Sequence, residues 1–100
     1  MQLKLCKKDA VPPGELKQIK VRDIEVLVAN VNGRLYCLAG RCTHAGAPLA
    51  EGELNQDVLT CPWHGSQFRV TDGKVLRGPA EKSLRVYPSA AEGDYIFIEV

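Results

Sequence analysis

Hydrophobic and polar residues alternate with a period of two in several segments of the chain, as in half-buried β-strands. The clearest example is the pair of segments 24–31 and 34–39. They flank Asn32-Gly33, a dipeptide that supplies the positive φ angles of a two-residue hairpin turn. No stretch shows sustained 3.6-residue periodicity, and only residues 81–85 could form a short helix. The pattern therefore predicts an all-β protein with antiparallel sheets.

Further strands are predicted on both sides of this hairpin, with loops rich in Gly and Pro between them. The remaining predicted strands cover residues 2–6, 16–21, 58–60, 66–70, 74–76, 83–87 and 95–100. Thr71-Asp72-Gly73 joins two of these strands in a second hairpin. From Gly40 to Glu53 the composition changes to small, flexible and polar residues, and no strand is predicted there.

Length and charge exclude several classes of protein. One hundred residues make a single small domain, to which a bound metal would add stability. Thirteen basic and twelve acidic residues give no electrostatic reason to bind nucleic acid or an anionic membrane. No apolar run approaches the roughly 18 residues of a membrane span, and the first nine residues lack the apolar core of a signal peptide. We therefore expect a cytoplasmic protein with neither a membrane nor a nucleic-acid partner.

Two short motifs contain both histidines and two of the four cysteines. They are Cys42-Thr43-His44 and Cys61-Pro62-Trp63-His64, and both lie in segments containing Gly and Pro. Thiolates and imidazoles bind soft and borderline metals, so the motifs predict a metal site. A single tetrahedral zinc ion could use the four side chains, although structural zinc sites usually pair cysteine with cysteine and histidine with histidine. The other two cysteines, Cys6 and Cys37, lie in predicted strands and are expected to be free thiols.

The spacing of these motifs resembles that of the Rieske proteins, whose 2Fe-2S cluster is bound by one C-x-H loop and one C-x-x-H loop. The resemblance implies that Cys42 and Cys61 bind one iron and that His44 and His64 bind the other. It covers nearly the whole chain. Pro79 lies in Gly78-Pro79-Ala80, a segment similar to the proline-containing third loop that covers the cluster in this family.

The resemblance also implies the Rieske fold, an antiparallel β-sandwich or barrel-like base that carries an inserted cluster-binding subdomain. The expected single domain spans residues 1–100. Its base consists of residues 1–40 and 81–100, and its insert of residues 41–80.

Residues next to the ligands are expected to tune the reduction potential. In high-potential relatives the second histidine is followed by Gly-Ser-x-Tyr, whose two hydroxyls donate hydrogen bonds to cluster sulfurs. Here Ser66 keeps the first donor, whereas Phe68 replaces the second. The resemblance thus implies a potential toward the lower part of the roughly −150 to +300 mV range. Trp63 is expected either to shield the cluster or to join residues 45–48 and Pro62 in an apolar rim where a partner docks.

The resemblance narrows the function to electron transfer. Relatives in quinol-oxidising complexes carry an extra cysteine in each loop, and the two form a disulfide, but this chain lacks them. It is more similar to soluble ferredoxins that pass single electrons from a flavoprotein reductase to a terminal oxygenase. An oxygenase itself would need a 2-His-1-carboxylate iron site, for which no histidine remains. The alternatives are an accessory subunit of a nitrite-reductase-like complex and a zinc-stabilised binding module.

Overall fold

The structure, a computed structural model, describes residues 1–100 and contains eleven strands and one turn of 3-10 helix. The strands are β1 (Gln2–Lys7), β2 (Leu16–Val21), β3 (Ile24–Val31), β4 (Arg34–Ala39), β5 (Glu53–Asn55), β6 (Val58–Thr60), β7 (Gln67–Arg69), β8 (Val75–Arg77), β9 (Val86–Tyr87), β10 (Ser89–Glu92) and β11 (Tyr95–Glu99). The 3-10 turn spans Leu49–Glu51. The prediction of an all-β protein is confirmed.

The strands form three antiparallel sheets. Their strand orders are β1-β11-β10, β2-β3-β4-β9 and β5-β6-β7-β8. All four strands of the third sheet lie between residues 53 and 77, and the strands of the other two come from the segments before residue 40 and after residue 85. No helix in the structure is long and apolar enough to cross a membrane.

Strand β3 separates two hydrophobic cores, because its side chains alternate between the two faces of its sheet. Val26 and Val28 belong to a nine-residue core that also receives side chains from β1 and β11. Leu27 and Ala29 belong to a twelve-residue core that includes Cys42 and Cys61. These four central residues of β3 are all fully buried, which explains the continuous apolar run in this part of the sequence. The metal-site loops are therefore packed on one face of the second sheet.

The predicted hairpin between β3 and β4 is confirmed. Asn32 and Gly33 have φ angles of 54° and 91°, and Val31 pairs with Arg34. The buried side chain of Asn30 stabilises the turn from inside. Its Oδ1 accepts a hydrogen bond from the Gly33 N–H at 2.7 Å, and its Nδ2 donates to the Val11 carbonyl, also at 2.7 Å.

We expect Asn30→Ala to lower the free energy of unfolding by about 1–2 kcal/mol, because it leaves the carbonyl of buried Val11 without a donor. Chemical denaturation followed by circular dichroism measures this. Asn55→Ala is the matched control, since Asn55 is exposed, and its effect should stay within about 0.5 kcal/mol. Equal effects of the two substitutions would contradict the role assigned to Asn30.

The second hairpin brings the metal-site insert against the residues that follow it. Gly73 has a φ of 76° and lies in the turn between β7 and β8. A Cβ atom at this position would lie 2.2 Å from the Leu84 carbonyl oxygen, so only glycine allows the approach. The Leu84 N–H donates to the Gly73 carbonyl oxygen at 2.8 Å. This contact holds the segment after Pro79 close to the insert.

Several short elements differ from the sequence-based expectations. The expected strand at residues 83–87 is ordered as a strand only over Val86–Tyr87, and no helix forms at residues 81–85. Strand β10 replaces an expected loop, and β5 and the 3-10 turn were not predicted. Both unpredicted strands are rich in Glu, Ser, Ala or Asn, which have low strand propensity. They are strands because their backbones pair with β11 and β6, respectively.

Candidate metal centre

The first motif lies in a small loop that is closed by its own backbone. An isolated bridge pairs Arg41 with Pro48. Inside it, the Cys42 N–H donates to the Ala47 carbonyl oxygen, and the Gly46 N–H donates to the Cys42 carbonyl oxygen, both at 2.9 Å. Gly46 has a φ of 72°, which a glycine adopts without strain. The loop therefore has a defined shape, and we call residues 41–48 the first ligand loop.

The second motif connects β6 to β7. The Cys61 N–H donates to the Ser66 carbonyl oxygen at 2.8 Å, which closes the turn at the point where the two strands separate. Gly65, with a φ of 76°, lies just before this contact. We call residues 61–66 the second ligand loop. The strand pair β6–β7 determines its position, as Thr60 and Gln67 are the last residues in register.

The two cysteines of the motifs are buried beside each other. Cys42 is 4% exposed and Cys61 is 3% exposed, and both belong to the twelve-residue core. Burial raises the pKa of the Cys42 thiol and the adjacent Cys61 thiol adds to the rise, whereas backbone N–H groups of His44 and Ala45 lower it by donating to the sulfur. Two thiols thus share an apolar pocket in which backbone donors favour a thiolate.

The two histidines lie on the outer side of the same pair of loops. His44 and His64 are both exposed. Their ring centroids are 5.0 Å apart and the rings meet edge to face, at an interplanar angle of 83°. We call these two rings the histidine edge. The four side chains of the motifs therefore form a buried pair of sulfurs and an exposed pair of imidazoles.

A third segment joins the two ligand loops at the side. It contains Pro79, which is exposed and follows a cis peptide bond. The Ala80 N–H donates to Oγ of Ser66 at 3.0 Å, and Oγ1 of Thr43 donates to the Lys82 carbonyl oxygen at 2.6 Å. Each ligand loop is therefore tied by a hydroxyl to residues 79–82.

The three other residues singled out next to the ligands lie in different environments. Ser66 is fully buried, so its side chain does not face solvent. Phe68 is also fully buried, in the core that contains both ligand-loop cysteines. Trp63 is 56% exposed, so most of its ring is available at the surface. Ala47, which was expected in the apolar rim, is instead fully buried because the loop folds it under its own backbone.

Two residues of the first ligand loop make contacts that were not predicted from the sequence: Thr43, which donates to the Lys82 carbonyl, and Arg41, which pairs with the Glu25 carboxylate. Thr43 was treated only as a spacer between Cys42 and His44. Arg41 was not considered, although the hairpin register places Glu25 opposite Gly40 and therefore close to Arg41. This register follows from the Asn32-Gly33 turn, so the Arg41–Glu25 contact could have been found from the sequence.

The donor set fits a 2Fe-2S cluster with mixed ligands. Such a cluster needs two thiolates at one iron and two imidazoles at the other, and the structure separates sulfur from nitrogen in this way. A family model described as the Rieske [2Fe-2S] domain matches residues 1–88 of the chain. The chain belongs to this family. One Rieske-type 2Fe-2S cluster is its cofactor, as the resemblance of the motifs implied.

This Rieske chain is similar to known proteins over almost its full length. It is 37% identical over 97 residues to the biphenyl dioxygenase ferredoxin subunit of Pseudomonas sp. strain KKS102, covering 96% of this chain and 89% of the relative. The solved structure of the Sphingomonas yanoikuyae B1 ferredoxin superposes with a TM-score of 0.94 at 27% identity, covering 100% and 99% of the two chains.

A further structural relative is a ferredoxin seen together with its oxygenase. This complex of reduced oxygenase and oxidised ferredoxin in carbazole 1,9a-dioxygenase contains a chain that matches with a TM-score of 0.89 and 30% identity, covering 97% of this chain and 91% of that one. The Rieske fold predicted from the sequence is thereby confirmed.

Proposed function

We propose that this chain is a one-electron carrier that delivers electrons to a terminal oxygenase. The observation that carries the proposal is the histidine edge, where both imidazoles are exposed while both sulfurs are buried. When bound, the cluster takes up and releases one electron at a time. An exposed pair of ligands offers a partner a short path to it, and the dioxygenase ferredoxin subunits among the relatives support this role.

Within this proposal, Cys42 and Cys61 would bind one iron of the cluster, and His44 and His64 would bind the other. The sulfurs lie in an apolar pocket, which keeps water away from them. The imidazoles face outward, and the exposed ring of Trp63, the residue before His64, gives a partner an apolar surface. The protein would therefore bind and orient the cluster and keep water away from its cysteine ligands.

The electron donor in this proposal is a flavoprotein reductase, and the chain itself is not an enzyme. The chain has two histidines, and the cluster uses both, so neither is left for an iron site that activates oxygen. We also propose a cytoplasmic location. Cys6 and Cys37 are free thiols, as a reducing compartment keeps them.

The experiment combines metal analysis with partner-dependent electron transfer. The purified protein should be red-brown and contain about two irons and about two acid-labile sulfides per chain. A flavoprotein ferredoxin reductase with NADH should bleach its visible absorption, and a ring-hydroxylating oxygenase should restore it. One zinc without sulfide would refute the cofactor assignment. A cluster that no oxygenase reoxidises would refute the carrier role.

A further inference from the structure

Arg41 directly precedes Cys42 and contacts two parts of the molecule at once. Its Nε atom donates to both carboxylate oxygens of Glu25, at 3.3 and 3.2 Å, and its Nη2 atom lies 3.1 Å from Oε2 in an ion pair. Its Nη1 atom donates to the carbonyl oxygen of Gly46 at 3.1 Å. Glu25 belongs to β3, whereas Gly46 lies in the first ligand loop, two residues after His44. The guanidinium therefore connects the second sheet to the loop that carries two proposed ligands.

The backbone brings these groups together independently of the ion pair. The Gly40 N–H donates to the Glu25 carbonyl oxygen at 3.0 Å. A Cβ atom on Gly40 would lie 3.2 Å from that same oxygen, so glycine lets the chain leave β4 close to Glu25. Gln18 of β2 donates a hydrogen bond to Oε2 of Glu25, one of the two oxygens that Arg41 also contacts. The carboxylate is thus fixed by the sheet and oriented toward Arg41.

Global stability does not explain this arrangement well. The Arg41 and Glu25 side chains are 51% and 34% exposed, and ion pairs at such exposure contribute little to the free energy of unfolding. A planar guanidinium that bonds a carboxylate and a carbonyl at once does restrict the geometry of both. Arg41 also directly precedes Cys42, a proposed ligand of the cluster, and the cluster would become more negative on reduction.

We propose that Arg41 is a positioning residue of the metal centre. It fixes the first ligand loop against the second sheet, and its charge favours the reduced state. The inference rests on the ligands assigned under the proposed function. Its test uses no redox partner, so a failed electron transfer to an oxygenase and a failed role of Arg41 are separate results.

Two readouts on the cluster-containing protein test the proposal: hydrogen exchange of the peptide that contains residues 41–48, and the reduction potential. Arg41→Met should accelerate exchange by about threefold to tenfold, the loss of one hydrogen bond. It should also lower the equilibrium constant for reduction by about twofold to fivefold, because a nearby positive charge is removed. Arg41→Lys should keep the wild-type potential, because the positive charge remains. Its exchange should be as fast as in Arg41→Met, because an ammonium lacks the planar set of donors that a guanidinium has.

Replacing Glu25, whose carboxylate pairs with Arg41, should shift the reduction potential in the opposite direction. Glu25→Gln should also accelerate exchange, yet it should raise the potential, because it removes a negative charge. Arg69→Met is the matched control. It breaks an exposed Arg–Asp pair between β7 and the turn that follows it, also with a 3.1 Å contact, and should change neither the exchange of residues 41–48 nor the potential. Unchanged exchange in Arg41→Met would overturn the proposal, and so would potentials that shift in the same direction in Arg41→Met and Glu25→Gln.

Discussion

Cys42→Ser and Cys61→Ser proteins should be purified colourless, without the visible absorption of an iron–sulfur cluster. In the proposed assignment each cysteine would supply one of the two protein ligands of the same iron, and a serine hydroxyl does not replace a thiolate for a soft metal site. Replacing a group behind a ligand already costs about 10–100-fold in metal affinity, so the loss of a ligand should cost more. Iron analysis and the visible spectrum measure the effect directly.

The same substitutions should also lower the melting temperature. A cofactor that binds only the folded chain stabilises it, and this contribution disappears when the cofactor is lost. Both sulfurs belong to the core that joins the second sheet to the insert, so the two ligand loops should become the first part of the chain to open. Hydrogen exchange of residues 41–48 and 61–66 should therefore increase more than that of β3.

Cys37→Ser and Cys6→Ser are the controls, and both proteins should keep their colour. Cys37 is as well buried as Cys42, but it belongs to the other core, on the opposite face of β3. Burial raises the pKa of its thiol to about 11, so it is a neutral thiol near pH 7. Loss of colour in Cys37→Ser, or colour retained in Cys42→Ser, would show that the ligands are assigned wrongly.

The elements that could be predicted from the sequence are those whose local chemistry determines them. Asn32-Gly33 requires positive φ angles and sets the register of β3 with β4. The ligand motifs could be found because four metal-binding side chains at two short spacings are rare by chance, whatever the surrounding structure. The division into a base and an insert stays a prediction, as does the identity of the ligands.

The elements that could not be predicted depend on a distant partner. Strand β10 is exposed at all four positions and exists through its pairing with β11. Ala47 is small and lies among loop residues, and only the closed shape of the first ligand loop shows that it is buried. The bond from Thr43 to the Lys82 carbonyl joins residues 39 positions apart, and no local pattern indicates it.

Ser66→Ala should lower the reduction potential while leaving the visible spectrum nearly unchanged. Ser66 is fully buried, and its Oγ accepts a hydrogen bond from the Ala80 N–H. A hydroxyl can accept this bond and donate its own hydrogen at the same time, and we expect that hydrogen to be donated toward the cluster. A donor to a cluster sulfur stabilises the reduced state, whose charge is more negative.

The expected shift follows from the strength of one such bond. A hydrogen bond to a charged group contributes about 1.5–3 kcal/mol, and in a one-electron couple a tenfold change in equilibrium constant corresponds to about 59 mV. The potential of Ser66→Ala should therefore fall by about 60–130 mV, as measured by redox titration. Ser83→Ala is the control, since Ser83 is exposed in the same part of the chain, and it should titrate at the wild-type potential.

Phe68→Tyr should shift the potential in the opposite direction. The phenylalanine lies fully buried in the core that holds Cys42 and Cys61, at the position where high-potential relatives carry a tyrosine. A hydroxyl added here would donate a second hydrogen bond toward a sulfur, and the potential should rise by a similar amount. Extra volume in a packed core costs about 1–3 kcal/mol, so the variant should also unfold at a lower denaturant concentration. The two effects are separable, because lost packing alone does not stabilise the reduced state.

If Ser66→Ala and Phe68→Tyr both titrate at the wild-type potential, hydroxyl donors do not tune this centre, and Phe68 contributes only to packing of the core.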